Sequence, residues 1–181
     1  YFVDISLPFY HEWTPGQFLM LQWGAHIIGR PFAILDWNQV SATESVLKLW
    51  FRVLGQGTKD LAAFLKSQSE VFLTLPLGKV PLELTKAPRL LFISGGVGAA
   101  SVWPMIIERS RRGHEDFWVH GERDLGSLAA GLDPDLIYIE DVPWAHKKGR
   151  VTAIFEDPMA LAPHKLDDFD ALVCCGPSPM L

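Results

Sequence analysis

Arg89-Leu90-Leu91-Phe92-Ile93-Ser94-Gly95-Gly96-Val97-Gly98-Ala99-Ala100-Ser101 is the stretch on which the fold turns. Arg89–Ser94 is an almost continuous apolar run, the pattern of a strand buried on both faces of a parallel sheet. A glycine-rich turn follows, and then the helical pattern of Ser101–Arg111. Glycines at such a junction let the backbone turn tightly and approach a pyrophosphate, while the helix start offers unpaired N–H groups and positive potential. Ser101 stands where the third glycine of the dinucleotide fingerprint belongs, so a tight turn without a ligand is the alternative reading.

Downstream, further strands are expected at Asp116–His120, Leu136–Glu140 and Ala171–Cys174, with a helix near Gly149–Asp157. Strand alternating with helix predicts a parallel sheet flanked by helices. Upstream the pattern changes. Short apolar segments (Gln17–Trp23, Pro31–Asp36, Ser45–Leu54, Glu70–Leu75) are separated by turn residues such as Pro15-Gly16, Gly29 and Asp36-Trp37-Asn38, as suits an antiparallel barrel. One helical patch interrupts it at 58–65, with apolar residues at 61, 64 and 65 on one face. The expected fold is therefore two domains: an antiparallel β-barrel over 1–86, then an α/β nucleotide-binding domain with a parallel sheet over 87–181. The boundary is expected at Thr85–Pro88.

Three other motifs carry chemistry. Gly55-Gln56-Gly57-Thr58 runs from a strand into the short helix, a second anion seat in which the hydroxyl either caps the helix or donates to phosphate. In Gly29-Arg30-Pro31-Phe32-Ala33, Arg30 is a surface residue or, with a phosphate seat near it, a bidentate partner for phosphate oxygens. Cys174-Cys175-Gly176-Pro177-Ser178-Pro179-Met180 puts a thiol and a Gly-Pro turn at the C-terminal end of a parallel strand, where open α/β sheets bind ligands. Buried structural cysteine is the alternative there.

Composition narrows the field. The 181 residues carry a net charge of −5 and are 49% hydrophobic, enough for packed cores and unsuited to a phosphate-backbone partner. The one basic cluster, Arg109, Arg111 and Arg112, reads as a solvated helix C-terminus. No apolar run approaches the roughly 18–20 residues that cross a bilayer, and no signal-peptide pattern opens the chain. Cys174 and Cys175 are neighbours rather than disulfide partners, which implies a reducing, cytoplasmic setting. The six histidines show no paired ligand spacing, so no metal site is expected. The chain begins at Tyr1 and stops just after a Gly-Pro turn, which predicts that it is part of a longer one.

In their order and spacing these motifs resemble the ferredoxin–NADP reductase superfamily, and within it the electron-transfer subunits of the two-subunit, NAD-dependent dihydroorotate dehydrogenases. The resemblance also takes in Pro15-Gly16-Gln17-Phe18, Pro76-Leu77-Gly78, Glu140-Asp141 and Lys148-Gly149-Arg150-Val151-Thr152. It implies an FAD-dependent module that passes electrons from NAD(P)H through flavin to an iron–sulfur centre and a catalytic partner subunit in pyrimidine biosynthesis. A hydrogenase or another reductase is the alternative partner. By the same resemblance, Arg30 binds the FAD phosphates, Pro31 beside it belongs to the cofactor site, Phe32 and Ala33 lie along the isoalloxazine, and Trp50, Phe51 and Arg52 run beside the flavin and ribityl chain. Gly57 and Thr58 seat the pyrophosphate. Gly95, Gly96, Val97 and Gly98 receive the nicotinamide dinucleotide, and Cys175 to Met180, including Gly176 and Pro177, line the nicotinamide side, with Cys175 as the catalytic residue.

Departures from the family pattern matter too. Ala33 stands where the family has Ser or Thr, so contact to flavin N5 falls to backbone or water. Ser101 replaces a common Pro. A [2Fe–2S] centre takes four ligands, and no cysteine follows Cys175, so any such cluster sits on a further segment or on the partner. A flavin-free assembly subunit of the same fold is the rival reading. Arg123 is a candidate for a 2′-phosphate or a ribose hydroxyl, and Glu122 for the ribose.

Overall fold

A computed structural model describes residues 1–67, 70–141, 147–157 and 159–177. The chain divides into two compact units, Tyr1–Val80 and Pro81–Leu181. The division falls a few residues before the boundary expected at Thr85–Pro88, because the short helix α2 (Leu82–Lys86) belongs with the second unit.

The first unit is a curled antiparallel sheet, half of a barrel. Its strands are β1 (Phe2–Leu7), β2 (Phe18–Trp23), β3 (Arg30–Ser41), β4 (Glu44–Trp50) and β5 (Val71–Leu73), in the order β1-β4-β3-β2-β5. Alternation sets the inner face: Leu19, Leu21 and Trp23 of β2 and Ser45, Leu47 and Leu49 of β4 are all buried. On β3 the inward residues are Phe32 and Ile34, and then Trp37. The switch from even to odd positions comes from a register shift between Ile34 and Asp36, where one extra residue bulges the strand and turns the following side chains over. The turn expected at Asp36-Trp37-Asn38 is therefore wrong. Trp37 is buried within the strand, and its indole N–H donates to Ser45 Oγ at 2.8 Å. The reversal comes later, between Ser41 and Glu44. Helix α1 (Gln56–Leu65) follows β4 and packs Leu61 and Ala62 into the same core.

In the second unit, β6 (Leu90–Gly95), β7 (Phe117–Glu122), β8 (Leu136–Ile139), β9 (Lys147–Lys148) and β10 (Ala171–Cys175) make a parallel sheet in the order β10-β6-β7-β8-β9. Every residue of β6 is buried, as its unbroken apolar run requires. Helix α3 (Ala99–Arg111) crosses from β6 to β7. The helix expected near Gly149–Asp157 is a single 3-10 segment, Val151–Phe155. Its buried residues Val151 and Ile154 are three apart, the spacing that 3-10 geometry aligns.

The basic cluster is also misjudged by pattern alone. Arg111 and Arg112 are exposed, but Arg109 is buried. Its guanidinium forks onto Asp116 at 2.6 and 2.8 Å and donates to the carbonyls of Leu84 and Ala87. Asp116 in turn accepts the Leu90 N–H at 2.8 Å. One ion pair thus ties α2, the start of β6, α3 and β7 together. No described helix is long and apolar enough to cross a membrane.

Candidate functional site

The four motifs fall into two cradles, one in each unit. In the first unit, Arg30 opens β3 and Gly57 lies in the first turn of α1. A methyl group on Gly57 would sit 2.5 Å from Arg30 Cζ, so the guanidinium rests directly on the glycine backbone. The first intrahelical bond runs from Lys59 N–H to the Gly55 carbonyl at 3.0 Å, and helix geometry leaves the N–H groups of Gln56, Gly57 and Thr58 without an intrahelical acceptor. A guanidinium and the positive end of a helix dipole repel each other. An anion between them, accepting from both, relieves that repulsion.

Thr58 resolves the choice left open by sequence. Its hydroxyl donates to the Gly55 carbonyl at 3.1 Å and accepts from Leu54 and Gly55 N–H at 3.0 and 3.2 Å. The side chain therefore serves the helix cap, and only its backbone N–H remains for an anion. Thr58→Ala should cost about 1 kcal/mol of stability, the usual value of a cap, measured by urea denaturation.

The flavin-side candidates divide by face. Phe32 is buried in edge contact with Trp23 and Phe51, while Ala33 pairs with Phe18 on the outer side. Pro31 lies on that outer side as well, opposite Met20. Trp50 and Phe51 are buried too, stacked on Phe2 and Tyr1 at 5.5 Å. Arg52 follows them outside the strand, half-buried.

The second cradle lies at the C-terminal edge of the parallel sheet. Gly95 ends β6, and Gly96, Val97 and Gly98 form one 3-10 turn that leads into α3. Gly96 has φ +55°, which a side chain rarely adopts. Gly98 is glycine for space: a methyl there would overlap the Cys175 carbonyl oxygen and come within 2.8 Å of Gly176 N. Thus the glycine turn and the Cys175-Gly176-Pro177 turn, far apart in sequence, touch backbone to backbone, with Cys175 registered beside Ser94. Cys175 is half-buried, and Cys174 faces the more open side of the strand. Partial burial first, and the neighbouring Cys175 second, push the Cys174 thiol above its ordinary range. Ser178, Pro179 and Met180 lie outside the described residues.

Glu122, a candidate for the ribose, is buried, and its Oε1 meets His120 Nε2 at 3.2 Å. Arg123 is exposed beside Asp141 at 3.6 Å. On the next strand, the Lys147 ammonium bonds Asp157 at 3.0 Å, which raises the lysine above its ordinary value and lowers the carboxyl. The sequence reading named Glu122 and the Ser94 motif separately but did not flag that Ser94, Trp118, His120 and Glu122 form one buried set. The signal was present all the same: three polar-tipped residues at spacing two, 118, 120 and 122, within an otherwise apolar strand.

Comparison with known proteins places this geometry. No protein-family model matches the chain. A curated relative, the dihydroorotate dehydrogenase B (NAD(+)) electron transfer subunit of Fusobacterium nucleatum, is 27% identical over 177 residues, covering 93% of this chain and 66% of the relative. The protein of the same description from Listeria innocua is 29% identical over 178 residues, 94% of this chain and 66% of its own length. The chain thus spans just under two thirds of these relatives. Among solved structures, the ferredoxin reductase in carbazole 1,9a-dioxygenase superposes with a TM-score of 0.72 at 17% identity, over 99% of this chain and 57% of that one. A ferredoxin NADP+ reductase from Neisseria gonorrhoeae, with bound FAD and NADP, gives 0.69 at 13% identity, over 99% and 80%. The chain has the two-unit fold of the ferredoxin reductases, and the two curated relatives above are electron-transfer subunits of dihydroorotate dehydrogenase B.

Proposed function

We propose that the chain is a flavin-dependent electron-transfer module that takes electrons from NAD(P)H and delivers them to a catalytic partner subunit. The observation that carries this reading is the Arg30 guanidinium seated on Gly57 at the start of α1, two positive groups held over one spot. Arg30, with the N–H groups of Gln56, Gly57 and Thr58, holds the FAD pyrophosphate, while Pro31, Ala33 and the backbone of Trp50, Phe51 and Arg52 border the rest of the flavin, and Phe32 supports it from the core. Gly95, Gly96, Val97 and Gly98 admit the dinucleotide phosphates to the helix start of α3, and Cys175, Gly176 and Pro177 shape the nicotinamide side. When bound, flavin supplies the exchange between hydride and single-electron chemistry. The protein contributes position and charge.

The proposed acceptor is a dihydroorotate dehydrogenase-like subunit in a hetero-oligomer, by analogy with the names of the curated relatives; an iron–sulfur centre between the two and a cytoplasmic setting are carried over from the sequence reading. Two cysteines in 181 residues cannot supply the four ligands of such a cluster, so it is held elsewhere. Ala33, which lacks the hydroxyl, favours one rival, a flavin-free assembly subunit.

An absorption spectrum with chromatography of the released cofactor separates the two. We expect about one FAD per chain; colourless protein that fails to take up added FAD overturns the proposal. Arg30→Ala should weaken FAD roughly tenfold to hundredfold, since a charge-assisted hydrogen bond contributes about 1.5–3 kcal/mol. Recovery of free-flavin fluorescence on dilution measures it.

A further inference from the structure

Behind the Gly95–Gly98 turn runs a polar chain that neither cradle uses. Trp118, His120 and Glu122 share one face of β7, and Ser94 of β6 is registered opposite His120. The Trp118 indole N–H donates to Ser94 Oγ at 2.8 Å, Ser94 Oγ meets His120 Nδ1 at 2.8 Å, and His120 Nε2 meets Glu122 Oε1 at 3.2 Å. Ser94 and His120 are 0% exposed, Trp118 3% and Glu122 4%.

Serine, histidine and carboxylate in line have the order of a nucleophilic triad. Here no substrate reaches the hydroxyl, and the indole already occupies its oxygen. The bonds instead form one directional series. The roles of the His120 nitrogens follow its tautomer, and the one that suits an accepting carboxylate at Glu122 puts the proton on Nε2. With Nε2 protonated, a neutral imidazole leaves Nδ1 to accept from the Ser94 hydroxyl, whose oxygen accepts from the indole. Each of these links is satisfied once, and in a buried network a missing link leaves its neighbours desolvated and unpaired.

The position of the series gives it a role. Ser94 immediately precedes Gly95, and its Cα lies in register between His120 of β7 and Cys175 of β10. Its side chain therefore pins the end of β6 where the backbone leaves the sheet. We propose that Ser94 and His120, anchored by Trp118 and Glu122, are positioning residues that preorganise the Gly95–Gly98 turn for a pyridine dinucleotide without touching it. This rests on the reading of that turn as the NAD(P)H seat. Preorganisation acts on affinity, because the ordering cost is met before the ligand arrives.

The test uses the flavin-loaded protein. The dependence of flavin bleaching on NADH concentration gives an apparent Kd and a limiting rate. Ser94→Ala and His120→Phe should each raise Kd about tenfold, equal to about 1.4 kcal/mol, with the limiting rate within about twofold. His120→Gln, whose amide keeps both an acceptor and a donor, should recover most of the loss. Independently of turnover, the Trp118 indole N–H resonance, identified by its loss in Trp118→Phe, should move on titration of the wild-type protein with NAD⁺ and saturate with the binding curve. An indole resonance that stays still at saturating NAD⁺, or an unchanged Kd in both variants, overturns the proposal. If the wild-type protein binds neither NADH nor NADPH, the reading of the turn as a dinucleotide seat fails, and the proposal fails with it. If the variants do not fold, the wild-type titration decides alone.

Discussion

Gly98→Ala should suppress flavin reduction by NADH at least about a hundredfold, equal to about 2.7 kcal/mol of transition-state free energy, while FAD content stays that of the wild type. The added methyl would meet the Cys175 carbonyl oxygen, its carbon at 2.5 Å and Gly176 N at 2.8 Å, all of them backbone atoms. A flexible side chain could swing aside; a backbone at the end of a parallel strand cannot. Either the turn lifts away from the sheet or the Cys175-Gly176 segment is displaced, and both belong to the proposed dinucleotide seat. The φ of Gly98 is −58°, so the demand is for space alone, and serine should be no better than alanine. Stopped-flow bleaching with a parallel flavin assay measures the effect. Unaltered reduction by NADH would mean that the second cradle is not where the dinucleotide binds.

The largest expected effect on stability comes from Arg109. Arg109→Leu leaves Asp116 buried without its countercharge and removes the donor from the Leu84 and Ala87 carbonyls. Breaking a buried pair in this way costs about 3–5 kcal/mol. Arg112, three residues on, is the internal comparison. It also pairs with a carboxylate at 2.6 Å, that of Glu108, but its side chain is 62% exposed, and Arg112→Leu should cost only about 0.3–0.5 kcal/mol. Replacing Arg109 and Asp116 together with apolar residues should recover much of the loss, because no lone charge stays buried. Urea denaturation of the variants in parallel gives the ranking, and equal midpoints for Arg109→Leu and Arg112→Leu would contradict it.

These two arginines also mark how far the sequence could be read. Long-period signals were legible. The run before Gly95 reads as a strand buried on both faces, and the glycine turn between it and a helix lies where the sequence put it. The spacing of apolar segments before residue 75 was enough for an antiparallel sheet. What escaped was decided by partners distant in sequence. Arg109 looks like its exposed neighbours until Asp116 folds back beside it. Asp36 and Asn38 are turn formers, and nothing local reveals that Trp37 between them fills the core beside Ser45. The bulge before Asp36 adds to the disguise, since it breaks the alternation by which strands are recognised.

The candidate site shows the same division. Gly57 and Arg30 were each visible, but that one lies on the other is a consequence of how β3 and α1 pack. Gly98 and Cys175 were likewise separate motifs until the parallel pairing of β6 with β10 brought their backbones into contact. His120 was passed over because the six histidines show no paired ligand spacing, and only the register of Ser94 across the sheet shows what it bonds. Pattern identifies the groups, and topology decides which of them meet.

The division between Val80 and Pro81 also sets an order in time. Every strand of the curled sheet, together with α1, lies before it in the chain, so during synthesis the first unit is complete while the parallel sheet does not yet exist. At about 5–20 residues per second, translating the roughly hundred residues of Pro81–Leu181 takes on the order of 5–20 s, long compared with the folding of a small domain. Arg30 and the start of α1 can therefore form their cradle before β6 has left the ribosome, and on the proposed function FAD bound there would stabilise the first unit by mass action at that stage. On that reading, a cell short of flavin would leave the first unit weakened at the moment when the second begins to emerge.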